Sequence, residues 1–164
     1  MTWGIGRYLE ERRGILRNFP QMITENRIYH VGLDIVVPEG AILHTPISGN
    51  VFDVGKEEGP GNYGGYVILR HQLEETVFYC LYGHLFSRYD VRAGEYLRAG
   101  EPFGAVGGEH DSGGWFTHVH MQILTERALR EKRMFQGYVA EKDLPHLEEL
   151  FPSPMYLFRY KSLQ

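Results

Sequence analysis

The chain has 164 residues and a mass of 19.0 kDa, the size of one domain able to bury a core without covalent staples. Apolar residues make up 43% and charged residues 23%, which excludes an intrinsically disordered chain. No apolar run approaches ~18 residues, so no membrane-spanning helix is expected. A net charge of −4 without a Lys/Arg block argues against nucleic acid as the main partner. The N-terminal stretch reaches charge at Arg7 and builds no secretory signal, so a cytoplasmic protein is expected. Cys80, the single cysteine, forbids an internal disulfide and reads as a buried small apolar residue.

In chain order, residues 5–16 carry Ile5, Tyr8, Leu9 and Leu16 at spacings that predict a short N-terminal helix. From residue 30 the pattern changes. Segments 32–37, 49–54, 66–71, 76–82, 102–106 and 118–124 are short, rich in β-branched and aromatic residues, and bounded by Gly, Pro, Asn or Asp. They predict strands. Residues 141–150 predict a short C-terminal helix. The expected fold is mainly β, an antiparallel sandwich or partly open barrel. Its expected parts are an N-terminal extension over 1–27, a β domain over 28–125, and a helix with a tail over 126–164. The glycine-rich pair at 91–107 also suits a lipoyl carrier, for which Lys56 is the faint candidate.

The histidines carry the chemistry. His118 and His120 stand two apart on a predicted strand, so their imidazoles share a face. His30 and Asp34 also share a face of an extended segment, with Gly32 between them leaving space for an ion. Two imidazoles and one carboxylate form a three-ligand set with a fourth position for water, as catalytic zinc uses. His84 follows a strand at the start of a turn. No HExxH motif is present, so proton handling falls to histidines, with His84 and His118 available.

These motifs resemble the lysostaphin-type (LytM-type) zinc metallopeptidases: His30-Val-Gly-Leu-Asp34, Tyr82-Gly-His84-Leu85 and His118-Val-His120. The resemblance extends through Pro46-Ile47-Ser48-Gly49, Asn62-Tyr63-Gly64-Gly65 and Val91 to Gly107, about residues 28–125 in the family's order. It implies an antiparallel β core crossed by a groove, one Zn2+ held by His30, Asp34 and His120, and catalytic roles for His84 and His118. Which of those two is the base stays open at this level. The implied substrate is a peptide or amide, including glycine-rich or peptidoglycan-derived bridges. Tyr63, Tyr66 and Trp115 are candidates to line the substrate groove. His71 falls where the family often places a histidine that orients a ligand or supports the sheet. The segment before His118, the tail and the N-terminal charges look more like the peptidase-like domains fused to aminotransferases and small-molecule kinases. The alternatives are a catalytically silent peptide-binding or scaffolding relative and a cupin-like non-haem iron enzyme using His118, His120 and Glu126.

Overall fold

A computed structural model describes residues 4–88 and 90–158. The strands are β1 (Gly4–Gly6), β2 (Tyr29–His30), β3 (Leu33–Val36), β4 (Ile42–His44), β5 (Gly49–Glu57), β6 (Gly64–Leu73), β7 (Thr76–Leu85), β8 (Tyr96–Leu97), β9 (Pro102–Ala105), β10 (Val119–Leu124) and β11 (Tyr138–Val139). Two short α-helices, α1 (Pro20–Thr24) and α2 (Glu126–Arg130), join them. Single 3-10 segments occupy Ile15–Asn18, Glu109–Asp111, Glu141–Glu149 and Pro154–Phe158.

Seven strands form one antiparallel sheet in the order β1-β3-β10-β7-β6-β5-β8. Two ribbons, β2 with β11 and β4 with β9, flank it, and no barrel closes among the described residues. Each predicted strand segment overlaps an observed strand. Residues 141–150 are 3-10 rather than α, with Pro145 inside the turn.

The helix predicted over 5–16 is not there. Gly4–Gly6 instead pairs with β3, and Leu9 takes a φ of 60° in the left-handed region. Glycines at 4, 6 and 14 weaken a helix, while the free edge of β3 offers the backbone a ladder. The short α-helix of this region lies later, at Pro20–Thr24, with proline where its missing N–H costs nothing.

The sheet separates two cores. On one face Val67, Leu69, Cys80, Tyr82, Val119, Met121 and Ile123 pack with Phe103 and Val106. On the other, Tyr66, Ile68, Tyr79, Leu81 and Leu124 pack with Val139, Leu147, Leu150 and Phe151. Period-two alternation in β6, β7 and β10 divides the residues this way. Cys80 is fully buried, and burial pushes its thiol up to about 12, so it is inert. Lys56 lies within β5 opposite Gly65, away from a hairpin tip. A third, smaller cluster joins Leu16, Ile28, Trp115 and Tyr138, with Phe19 and Met22 against it. It pins the N-terminal segment beside the second core.

Candidate metal and active site

One row of paired residues crosses four strand boundaries: Gly6, Asp34, His120, Gly83 and Tyr66. Directly paired residues project to the same face, so Asp34 and His120 meet side by side. The ring of His120 lies over Gly32, where a Cβ would sit 2.3 Å from its Cε1. The space predicted at Gly32 is therefore real but is filled by the His120 imidazole. Gly83 makes comparable room for Tyr63, whose ring would be 2.3 Å from an added Cβ.

His30 enters from β2, held by pairing with Tyr138 on β11. Its Nε2 lies 3.0 Å from His120 Nδ1 and 3.2 Å from Asp34 Oδ1, and His120 Nδ1 lies 2.9 Å from the same oxygen. These three buried residues form a cluster whose donor atoms all lie within 4.8 Å of one another.

The outer partners assign the ring protons. His30 Nδ1 faces the Arg7 carbonyl at 3.0 Å, so that nitrogen carries hydrogen and Nε2 keeps its lone pair. His120 Nε2 faces Gln122 Oε1 at 3.1 Å, which leaves the lone pair on Nδ1. Gln122 is fixed in that sense because its Nε2 donates to the Gln136 carbonyl and its Oε1 accepts from Tyr63. Two imidazole lone pairs and a carboxylate oxygen thus converge with no proton among them. Such an acceptor set fits a cation. The adjoining cavity, about 20 Å³ and lined by Asp34, Tyr63, His84, Trp115, His118, His120 and Tyr138, holds about one small molecule the size of water.

His118 approaches from the same face of β10. Its Nδ1 faces the Phe116 carbonyl at 2.6 Å, so Nε2 presents a lone pair 3.5 Å from Asp34 Oδ1. His84 reaches the site by a different device. Gly65 pairs with Leu85 and Tyr66 with Gly83, so His84 is the extra residue of a β-bulge with φ 63°. Simple alternation would send it toward the first core. The bulge turns it back, placing its ring centroid 4.4 Å from that of His118. Its Nδ1 is buried and has no hydrogen-bond partner among the described residues. Burial, then the neighbouring His118 and His120, hold the His84 imidazole well below its ordinary value, so it is neutral at pH 7.

The other predicted residues divide. Trp115 lines the cavity, tilted against Phe19 at 4.2 Å and stacked on Tyr138 at 5.9 Å. Tyr63 donates to Gln122 Oε1 at 2.8 Å and lies 3.4 Å from His120 Nε2, so it braces a ligand. Tyr66 lies outside the cavity lining; its hydroxyl donates to Asp53 and its ring meets Phe135. His71 alternates onto the opposite face with Val67 and Leu69, and its Nδ1 meets the Ser48 carbonyl. The structure does not bring it to the cluster. Glu126 opens α2 and is not part of the ligand set.

Sequence reasoning missed three contributors. Gln122 was discoverable, because it continues the His118, His120 face by two. Arg12 and Tyr138 carried no signal: they arrive from segments remote in the chain, Arg12 bonding Asp34 Oδ2 and lying 3.3 Å from the Tyr138 hydroxyl.

An open antiparallel sheet bearing a buried His/Asp/His cluster with two further histidines defines a class, the lysostaphin-type peptidase fold. The family model described as peptidase family M23 matches residues 28–132, and the chain belongs to that family. The catalytic domain of the antimicrobial peptidase lysostaphin from Staphylococcus simulans is similar at 20% identity, covering 96% of this chain and 92% of that one with a TM-score of 0.59. A variant catalytic domain of the prophage-encoded M23 protein EnpA from Enterococcus faecalis is 21% identical, with coverage of 84% and 88% and a TM-score of 0.57. SpoIIQ, solved in complex with SpoIIIAH, is matched at 16% identity, 87% and 92% coverage and a TM-score of 0.52. At these identities the structures speak for the fold. No curated protein matches the sequence. The likeness to domains fused to aminotransferases and kinases finds no counterpart among these relatives.

Proposed function

We propose that the chain is a zinc-dependent peptidase whose ion is held by His30 Nε2, Asp34 Oδ1 and His120 Nδ1. The convergence of two unprotonated imidazole nitrogens and a carboxylate oxygen within 2.9–3.2 Å carries this reading. Zinc there supplies Lewis acidity for a peptide carbonyl and acidifies water toward neutral pH. His118 acts as the base, since its Nε2 lone pair is fixed by the Phe116 carbonyl behind it and faces the site. His84 lines the same cavity, its ring held neutral by burial, and is the second histidine available to the reacting amide. Trp115, Tyr138 and Tyr63 narrow the cavity and exclude bulk water.

An open groove of about 450 Å³ runs along β1 past Ile5, Ile15 and Phe116 and shares Asp34 with the cavity, on the side that Arg12 covers. The family membership of the chain supports a peptide substrate as a class.

The test is elemental analysis of protein purified without chelator, together with hydrolysis of glycine-rich peptides. About one zinc per chain is expected, lost with activity in His120→Ala. His118→Ala should keep the metal and lose roughly 100- to 10,000-fold in turnover, the usual reach of a general base. A chain that binds no zinc, or a His118→Ala variant with full turnover, would overturn the assignment.

A further inference from the structure

Arg12 stands outside every role given above, yet it is one of the few buried charged residues among those described. Its Nη1 bonds Asp34 Oδ2, the oxygen that turns away from the histidines, and lies 3.3 Å from the Tyr138 hydroxyl. On its outer side Nε and Nη2 bond Glu10 Oε2 at 3.2 and 3.1 Å, which fixes the guanidinium plane. Its backbone N–H donates to the Ile28 carbonyl, tying it to the segment that leads into His30. The sheet makes room for this side chain. Gly6 pairs with Asp34, and a Cβ there would lie 2.1 Å from Arg12 Nη2.

The geometry points to Arg12 as a positioning residue that occupies Asp34 Oδ2 and so limits Asp34 to a single metal-binding oxygen, Oδ1. The inference rests on the zinc reading and deepens it. A carboxylate can bind a divalent ion through one oxygen or both, and the choice sets how many positions stay open. An ammonium or guanidinium hydrogen-bonded to one oxygen removes it from competition, and arginine does so with a fixed planar fork. With Oδ2 held, His30, Asp34 and His120 would offer an ion three donor atoms. With Oδ2 released, Asp34 would have both oxygens to offer and the donor set would number four.

Visible absorption of the cobalt-substituted full chain tests this independently of turnover, because band intensity falls as coordination rises above four. The wild-type protein should show the strong bands of a four-coordinate ion. Arg12→Met should lose roughly half that intensity, as geometry is diagnostic of ligand number, and Arg12→Lys should recover most of it. Gly6→Ala, whose added Cβ would lie 2.1 Å from Arg12 Nη2 but 3.1 Å from Asp34 Oδ2, should move the guanidinium first, reproduce the Arg12→Met spectrum and serve if that variant does not fold. Weak five-coordinate bands in the wild type, or unchanged strong bands in folded Arg12→Met or Gly6→Ala, would overturn the inference while leaving the metal site standing. Failure of the wild-type chain to bind cobalt or zinc at all would remove the zinc reading and this one together.

Discussion

At the scale of single residues, the site depends as much on absent side chains as on present ones. Gly32 has its neighbouring space filled by His120, and the Met121 carbonyl lies 2.9 Å from where a Cβ would stand. Backbone cannot yield as a flexible side-chain end can. Gly32→Ala should therefore displace His120, abolish zinc retention and cost about 1–3 kcal/mol of stability, as overpacking generally does; metal content and a denaturation curve check both. A second residue-scale expectation concerns His71. Burial pushes its imidazole below the ordinary value, against the Ser48 carbonyl, which raises it. The folded chain keeps the ring neutral, whereas the unfolded chain takes up a proton as pH falls past about 6.5. Stability is thus complete above that pH and declines as pH drops toward the lower folded value. His71→Asn should flatten this slope in the metal-free protein, measured by denaturation between about pH 5 and pH 7.5. An unchanged slope would remove His71 from the account. His30 and His84 are depressed in the same direction, so part of the slope persists.

At the scale of elements, strand alternation and its interruption sort the histidines. The pair His118 and His120, one just before β10 and one on it, was legible because period two is a property of any extended segment. His71 shares that clarity once its strand is placed: it stands with Val67 and Leu69 and so belongs to the opposite face. His84 breaks the rule through the bulge at the end of β7, which no local pattern announces. Its φ of 63° strains any residue with a Cβ. His84→Gly should consequently be about 1 kcal/mol more stable than His84→Ala, both lacking the imidazole. Equal stabilities in denaturant would show that the bulge relaxes. The first helix failed as an expectation for a related reason. An apolar spacing at Ile5, Tyr8, Leu9 and Leu16 is compatible with a helix, but glycines flanking it and the unpaired edge of β3 favour a strand and an irregular strap.

At the scale of the whole molecule, that strap links the N-terminal segment to the chemistry. Leu16 and Ile28 are fully buried beside Trp115 and Tyr138, and Phe19 covers the outer face of Trp115. Leu16→Ala should cost about 2–5 kcal/mol and loosen the wall of the cavity with it. Unfolding by denaturant gives the first quantity, and quenching of Trp115 fluorescence in a Trp3→Phe background the second. A loss well under that range, with unchanged quenching, would show that the strap is dispensable. The amino-acid order by itself determined the β-rich class, six of the strand segments, the residue types His30, Asp34, His118 and His120, and the shared face of His118 and His120, because hydrophobic alternation and even spacing are local properties; His30 and Asp34 instead stand on separate strands, β2 and β3, of different sheets. Only the tertiary structure decided the rest: the row from Gly6 to Gly83, the bulge that aims His84, the tautomers set by Arg7, Phe116 and Gln122, and the approach of Arg12 to Asp34. Each joins atoms from distant parts of the chain, and strand register and packing, rather than sequence spacing, bring such atoms within hydrogen-bonding distance.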